Sequence, residues 1–185
     1  PAEGGDGASQ HAQLVLLSAR SATQLTAMER RLLAFLDTAV PAPALADLAY
    51  TLQTGRESME YRLALIVSNL QELRTGLRQQ LQQAYEQAPP DGVPQTLDAE
   101  AIFSATPEQD NGAIRRLMAG DSGQAMLDAA LAAHDLHKLA LYWVNGVRIQ
   151  WQGLHTGEIG TASGRERGEI AAVAVSLKKK RSTAI

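Results

Sequence analysis

Apolar positions recur along the chain in two alternating rhythms. Gln13-Leu14-Val15-Leu16-Leu17-Ser18 is a short apolar run, too brief for a helix and rich enough for a buried strand. Ser21 then precedes Leu25, Met28, Leu32 and Leu36, a helical stripe that predicts a helix over about 22–38 with Ser21 and Gln24 as its capping box. Pro41 and Pro43 break it. Pro43 can open a second helix with Leu45, Leu48 and Leu52 as its stripe and Gly55 as its C-terminal cap. Tyr61, Leu63, Leu65 and Val67 share one face of a second strand. Ser68 and Gln71 read as another capping box, opening a helix with Leu70, Leu73, Leu77 and Leu81 that ends near Gln87.

The run from Pro89 to Pro94 is the clearest internal break. Beyond it, 101–104 reads as a short strand and 114–118 as a short helix. Asp121 with Gln124 should cap a helix reaching Ala133, and Asp135 can restart one that Gly146 ends. Val147, Ile149 and Trp151 alternate with Arg148 and Gln150, the pattern of a half-buried strand. After Gly157 the periodicity fails, although Ile170 to Leu177 is apolar. The expected fold is α/β (α+β), a small, roughly three-stranded sheet packed by several helices, with a flexible tail. The divisions are a linker at 1–12, a first part at 13–88, a Pro-rich linker at 89–98, a second part at 99–157 and a basic tail at 158–185.

Composition narrows the chemistry. The 185 residues are 45% hydrophobic and 20% charged, so a wholly disordered chain is excluded. Cysteine is absent, which removes disulfides, thiolate metal sites and a cysteine nucleophile, and suits a reducing cytoplasm. The net charge of -3 leaves no footprint for nucleic acid. No apolar run approaches the roughly 20 residues of a membrane span. The chain opens on Pro1 with no signal-peptide pattern and reads as a piece of something longer.

Candidate reactive groups are few. Gly120-Asp121-Ser122-Gly123 spells the tetrad around the nucleophile of trypsin-like proteases, but it leads into a helix and no base or orienting acid is patterned upstream. A helix start is the favoured reading, with a hydrolase using Ser122 as the alternative. His134 and His137 could share a helix face, yet a metal would need a third ligand. His11 and His155 carry less signal. Glu57, Glu60, Asp98 and Glu100 show no reason to pair. No phosphate loop is present, and no cofactor is implied. Lys178-Lys179-Lys180-Arg181 reads as a solubilising end, or as the contact of a partner-binding module. Trp143 and Trp151, the two tryptophans, flank the Gly146 turn as core or interface residues.

Several segments resemble the region that follows ketosynthase domains in modular polyketide synthases. They are Leu14 to Arg20, then Leu45-Ala46-Asp47-Leu48-Ala49-Tyr50-Thr51-Leu52-Gln53-Thr54-Gly55-Arg56, the most specific match, then Arg56 to Ala64, and Leu139 through Trp151. Together they cover residues 13 to about 157. The Pro89–Pro94 break leads to a short strand and helices instead of a catalytic acyltransferase. That arrangement is similar to trans-acyltransferase synthases and their ketosynthase flanking subdomain. The family's closing L-P-T-Y-P-F stretch is absent from 158–185. The resemblance implies a non-catalytic scaffold. Its partners would be the adjoining ketosynthase, an acyl carrier protein and a trans-acting acyltransferase, with no nucleic acid and no membrane. Tyr50, Trp143 and Trp151 are the expected structural anchors. Arg30, Arg31 and Arg56 are candidates for meeting an acidic carrier protein.

Overall fold

A computed structural model describes residues 11–55, 58–85, 101–105 and 112–155. Strand β1 (Gln13–Ala19) is followed by helices α1 (Ala22–Thr38) and α2 (Leu45–Thr54), strand β2 (Tyr61–Val67) and helix α3 (Leu70–Tyr85). Strand β3 (Ile102–Ala105), helices α4 (Gly112–Leu117), α5 (Asp121–Ala132) and α6 (Leu136–Val144), and a 3-10 turn at Trp151–Leu154 complete the order. The sheet is antiparallel, in the order β1-β2-β3. Ala19 pairs with Tyr61, so β2 starts where β1 ends. The α1–α2 excursion therefore has to run out and back before the chain can re-enter the sheet.

Strand alternation decides which side chains go where. Val15, Leu17, Ala19, Leu63, Leu65 and Val67 point to one face, and Met28, Leu32, Leu36, Leu48, Leu52, Leu73 and Leu77 from α1, α2 and α3 close over them. Leu14, Leu16, Ala64, Ile66 and Ala105 point to the other, beneath Leu139, Ala140, Trp143 and Val144 of α6, Ala130 of α5 and Trp151. A sheet covered on both faces needs apolar residues at successive positions, which is why β1 and β2 read as continuous runs. The result is three layers, helix on sheet on helix, with each buried Leu contributing about 1.5–3 kcal/mol.

Local signals set most boundaries. Ser21 caps α1, its hydroxyl accepting from the Gln24 N–H at 3.2 Å. Gly55 ends α2, and a Cβ there would lie 2.6 Å from the Thr51 carbonyl oxygen. Asp135 restarts the chain as the cap of α6.

Other expectations are corrected. The α3 cap is Asn69 with Glu72, one residue beyond Ser68 and Gln71. The Asn69 side chain accepts from the Glu72 N–H at 2.9 Å, and Glu72 reaches back to the Ser68 N–H at 2.7 Å. A carboxylate accepts that N–H more strongly than the Gln71 amide would. Helix α2 opens at Leu45 behind Ala44, so Pro43 lies outside its first turn. Gly120 takes the cap position of α5 and leaves Asp121 inside the helix. The strand expected at Val147–Trp151 has no ladder partner among the described residues. Val147 and Trp151 are buried and Ile149 half-buried while Arg148 and Gln150 are exposed, so the alternation reports burial against α4 and the sheet, not pairing. Residues 1–10 of the first linker, the linker at 89–98 and the tail at 158–185 lie outside the described residues.

Candidate functional site

Three hydrogen bonds between residues far apart in sequence gather where β2 begins and α6 ends. The Trp143 indole N–H donates to Ser58 Oγ at 3.0 Å, across 85 positions of sequence. The Met59 N–H donates to Ser18 Oγ at 3.2 Å, and Arg62 Nε donates to the Met59 carbonyl at 2.7 Å. A second Arg62 nitrogen donates to the Trp143 carbonyl, and the guanidinium carbon stands 5.2 Å from the Trp143 ring centroid. Arg62 thus places positive charge on the last turn of α6, where free carbonyls concentrate negative charge. Burial, and then the neighbouring Arg115, press its pKa below the ordinary arginine value.

A second group of ties crosses the open edge of β1. Gln53 of α2 is buried, and its amide N–H donates to the Leu14 carbonyl at 2.6 Å. Its amide oxygen accepts from His155 Nε2 at 2.6 Å. Tyr50 meets the His155 ring edge-on, with centroids 4.9 Å apart. These contacts give an edge strand with unpaired backbone groups a side-chain partner and a helix alongside. They also strap the turn carrying Trp151 onto α2.

The expected anchors are therefore placed differently from one another. Trp143 is 3% exposed and Trp151 5%, while Tyr50 is 43% exposed. Arg30 and Arg31 are exposed on α1, and Arg56 lies outside the described residues. The residues that tie the layers, Arg62, Ser58, Ser18 and Gln53, were missed by sequence reasoning. The available signal was Arg62, a lone charge inside the Tyr61–Val67 run.

Catalytic arrangements are not assembled from the candidates. Ser122 is exposed in the first turn of α5 and hydrogen-bonds to no base among the described residues. The tetrad has a packing reason, since a Cβ at Gly123 would lie 2.4 Å from the Met118 Cα. His134 and His137 do not share a helix: His134 sits in the α5–α6 turn with φ of 51°, and His137 lies within α6. Among the described residues no three His, Asp or Glu side chains gather as a metal site. Glu57, Asp98, Glu100, and the Lys178–Arg181 cluster lie outside those residues; Glu60 is exposed. Two acids among the described residues are perturbed: Glu29 on α1 is buried, and desolvation raises its pKa to about 7 against an opposing pull from Arg30, while hydrogen bonds from Lys138 lower that of Asp135.

Comparison with known proteins points in one direction. Residues 16–84 match the model of a family described as "RhiE-like, KS-MAT linker domain". Polyketide synthase PksR of Bacillus subtilis (strain 168) is 33% identical over 147 residues, 80% of this chain and 5% of that relative. Polyketide synthase PksM of the same organism is 30% identical over 146 residues, covering 79% of this chain and 3% of its own length. The ketosynthase from module 6 of the bacillaene synthase of Bacillus subtilis 168 superposes with a TM-score of 0.66 at 29% identity, over 79% of this chain and 24% of the solved one. The module 1 ketosynthase of the bacillaene synthase from Bacillus amyloliquefaciens FZB42 gives 0.59 at 33% identity, over 76% and 23%. The chain thus spans a small fraction of the proteins it matches.

Proposed function

We propose that this chain, similar to the linker region beside the ketosynthase in polyketide synthases, is a non-catalytic brace within a trans-acyltransferase synthase. It would hold the neighbouring ketosynthase and help place an acyl carrier protein or a trans-acting acyltransferase. The thioester condensation would be carried out by that ketosynthase, and no cofactor would be needed in this region.

The observation that carries the reading is the pair of clamps across the sheet. Trp143, Ser58, Arg62 and Ser18 join α6 to both long strands, and Gln53 and His155 join α2 to the 3-10 turn. Their hydrogen bonds go to backbone groups and to one another, and none holds a nucleophile against a base. Such ties suit a body that keeps its shape under load from two sides. A rigid body that presents fixed surfaces reduces the ordering cost of association.

Arg30 and Arg31, with Arg56, are the proposed contacts for an acidic carrier protein, acting through encounter rate and salt dependence. The test is carrier-protein binding by the synthase with Arg30, Arg31 and Arg56 changed to Glu. Weaker binding with a flatter salt dependence is expected. Unchanged affinity and unchanged salt response would remove these arginines from the mechanism. Hydrolysis through Ser122 has no support from the geometry, and labelling of Ser122 by a serine-directed phosphonate would revive it.

A further inference from the structure

Gln53 spends the two ends of its amide on opposite ends of the described chain. Its nitrogen donates to the Leu14 carbonyl of β1 at 2.6 Å. Its oxygen accepts from Nε2 of His155, the last described residue, also at 2.6 Å. An amide separates its oxygen and nitrogen by about 2.2 Å, so the Leu14 oxygen and the His155 nitrogen lie within about 7.5 Å of each other. Gln53 is 4% exposed, and water has little access to compete for either bond.

Packing closes the same junction. Trp151 and Leu154 of the 3-10 turn share an apolar cluster with Leu14 and Leu16. Tyr50, one turn before Gln53 on α2, meets the His155 ring edge-on. Helix α2 itself is held from its other side, with Leu48, Ala49 and Leu52 in the leucine core. It is therefore a fixed post to which the first strand and the last turn are both tied. A connector with its ends at opposite poles would act as a spacer, and β1 alone, with seven residues, spans about 23 Å. The ends of this body meet across one side chain.

We infer that Gln53 is a positioning residue: it clasps the strand by which the chain enters this body to the turn by which it leaves, so that the flanking parts of a synthase start from one corner and not from opposite poles. The inference rests on the reading of this chain as one region of a longer synthase; it covers 5% of PksR and 3% of PksM. A carrier protein tethered beyond the clasp would start beside whatever precedes it, at a higher effective concentration than from the far pole.

The test uses the intact 185-residue chain, which has no cysteine, so spin labels go only to introduced thiols. Ala12→Cys beside β1 and Gln152→Cys in the 3-10 turn are both at exposed positions. One narrow, short separation between the labels is expected. Gln53→Leu removes both bonds at similar volume. His155→Phe keeps a ring against Tyr50 and removes only the bond to Gln53. Each should spread the separation. Each should also speed hydrogen exchange at the amides of residues 153 and 155, which bond within the turn, by about tenfold. Unchanged exchange in the β1–β2 ladder would show that the sheet stays folded. A long separation in the unsubstituted chain would overturn the clasp, and so would a separation that neither variant alters. Carrier-protein binding by the synthase after Arg30→Glu with Arg31→Glu reports on the docking reading alone, so either can fail without the other.

Discussion

The two faces of the sheet are built by different means. One is closed by leucines at helical spacing on α1, α2 and α3, with Leu73 and Leu77 fully buried against Leu65 and Val67. The other is closed by short helices and two tryptophans, with directional ties from Ser58, Arg62 and Trp143. Aliphatic packing is non-directional and tolerates exchange of similar volumes. Hydrogen bonds between residues 81 and 85 positions apart fix one arrangement. The first face supplies bulk stability, and the second decides how α6 and the following turn sit on the sheet.

Substitutions can break this contrast, starting with the largest effect. Trp143→Ala should cost about 3–5 kcal/mol by urea unfolding, since it removes a buried ring and leaves Arg62 without its aromatic face. Trp143→Phe, which loses chiefly the indole bond to Ser58, should cost about 1–2 kcal/mol. If the two variants cost the same, the polar tie accounts for the whole loss and the ring packing contributes nothing. Next comes Gly123→Ala, whose methyl would press on the Met118 backbone; a loss of about 1–3 kcal/mol is expected. A neutral result would mean that α5 can shift freely.

A smaller effect with a distinctive pH signature belongs to Glu29 on the leucine face. Its folded pKa of about 7 lies above the ordinary 4.5, so the folded state holds the proton more tightly than the unfolded chain. Stability is therefore full below about pH 4.5 and declines as pH rises through 7. Glu29→Gln should raise stability by about 1–2 kcal/mol at pH 8 and change it little at pH 4, read from unfolding midpoints at both values. Equal effects at the two pH values would contradict a buried carboxyl. The smallest effect is expected at Ser122, where Ser122→Ala should leave stability within about 0.5 kcal/mol and product formation by the synthase unchanged. A large loss of turnover would return Ser122 to the catalytic machinery.

The leucine face was legible in the sequence because its signals are local. Leu25, Met28, Leu32 and Leu36 recur about one turn apart, and Ser21 marks the start within three residues of its partner. Helix α3 was legible in the same way, although its cap fell on Asn69 because Glu72 competes better than Gln71 for the same N–H. The Val147–Trp151 segment misled because alternation reports burial on one side, whether or not a neighbouring strand is present.

By itself, the sequence determined the order of the helices and of the three paired strands, the burial of β1, and the absence of any cysteine chemistry. Only the tertiary structure decided that Ser58 meets Trp143, that Arg62 caps α6, that Gln53 holds the β1 edge, and that Arg115 comes beside the Gly146 turn. The physical reason is range. Helix stripes, caps and strand alternation act over a few residues and are written in spacing. A hydrogen bond between residues far apart in the chain exists only once packing has brought them together.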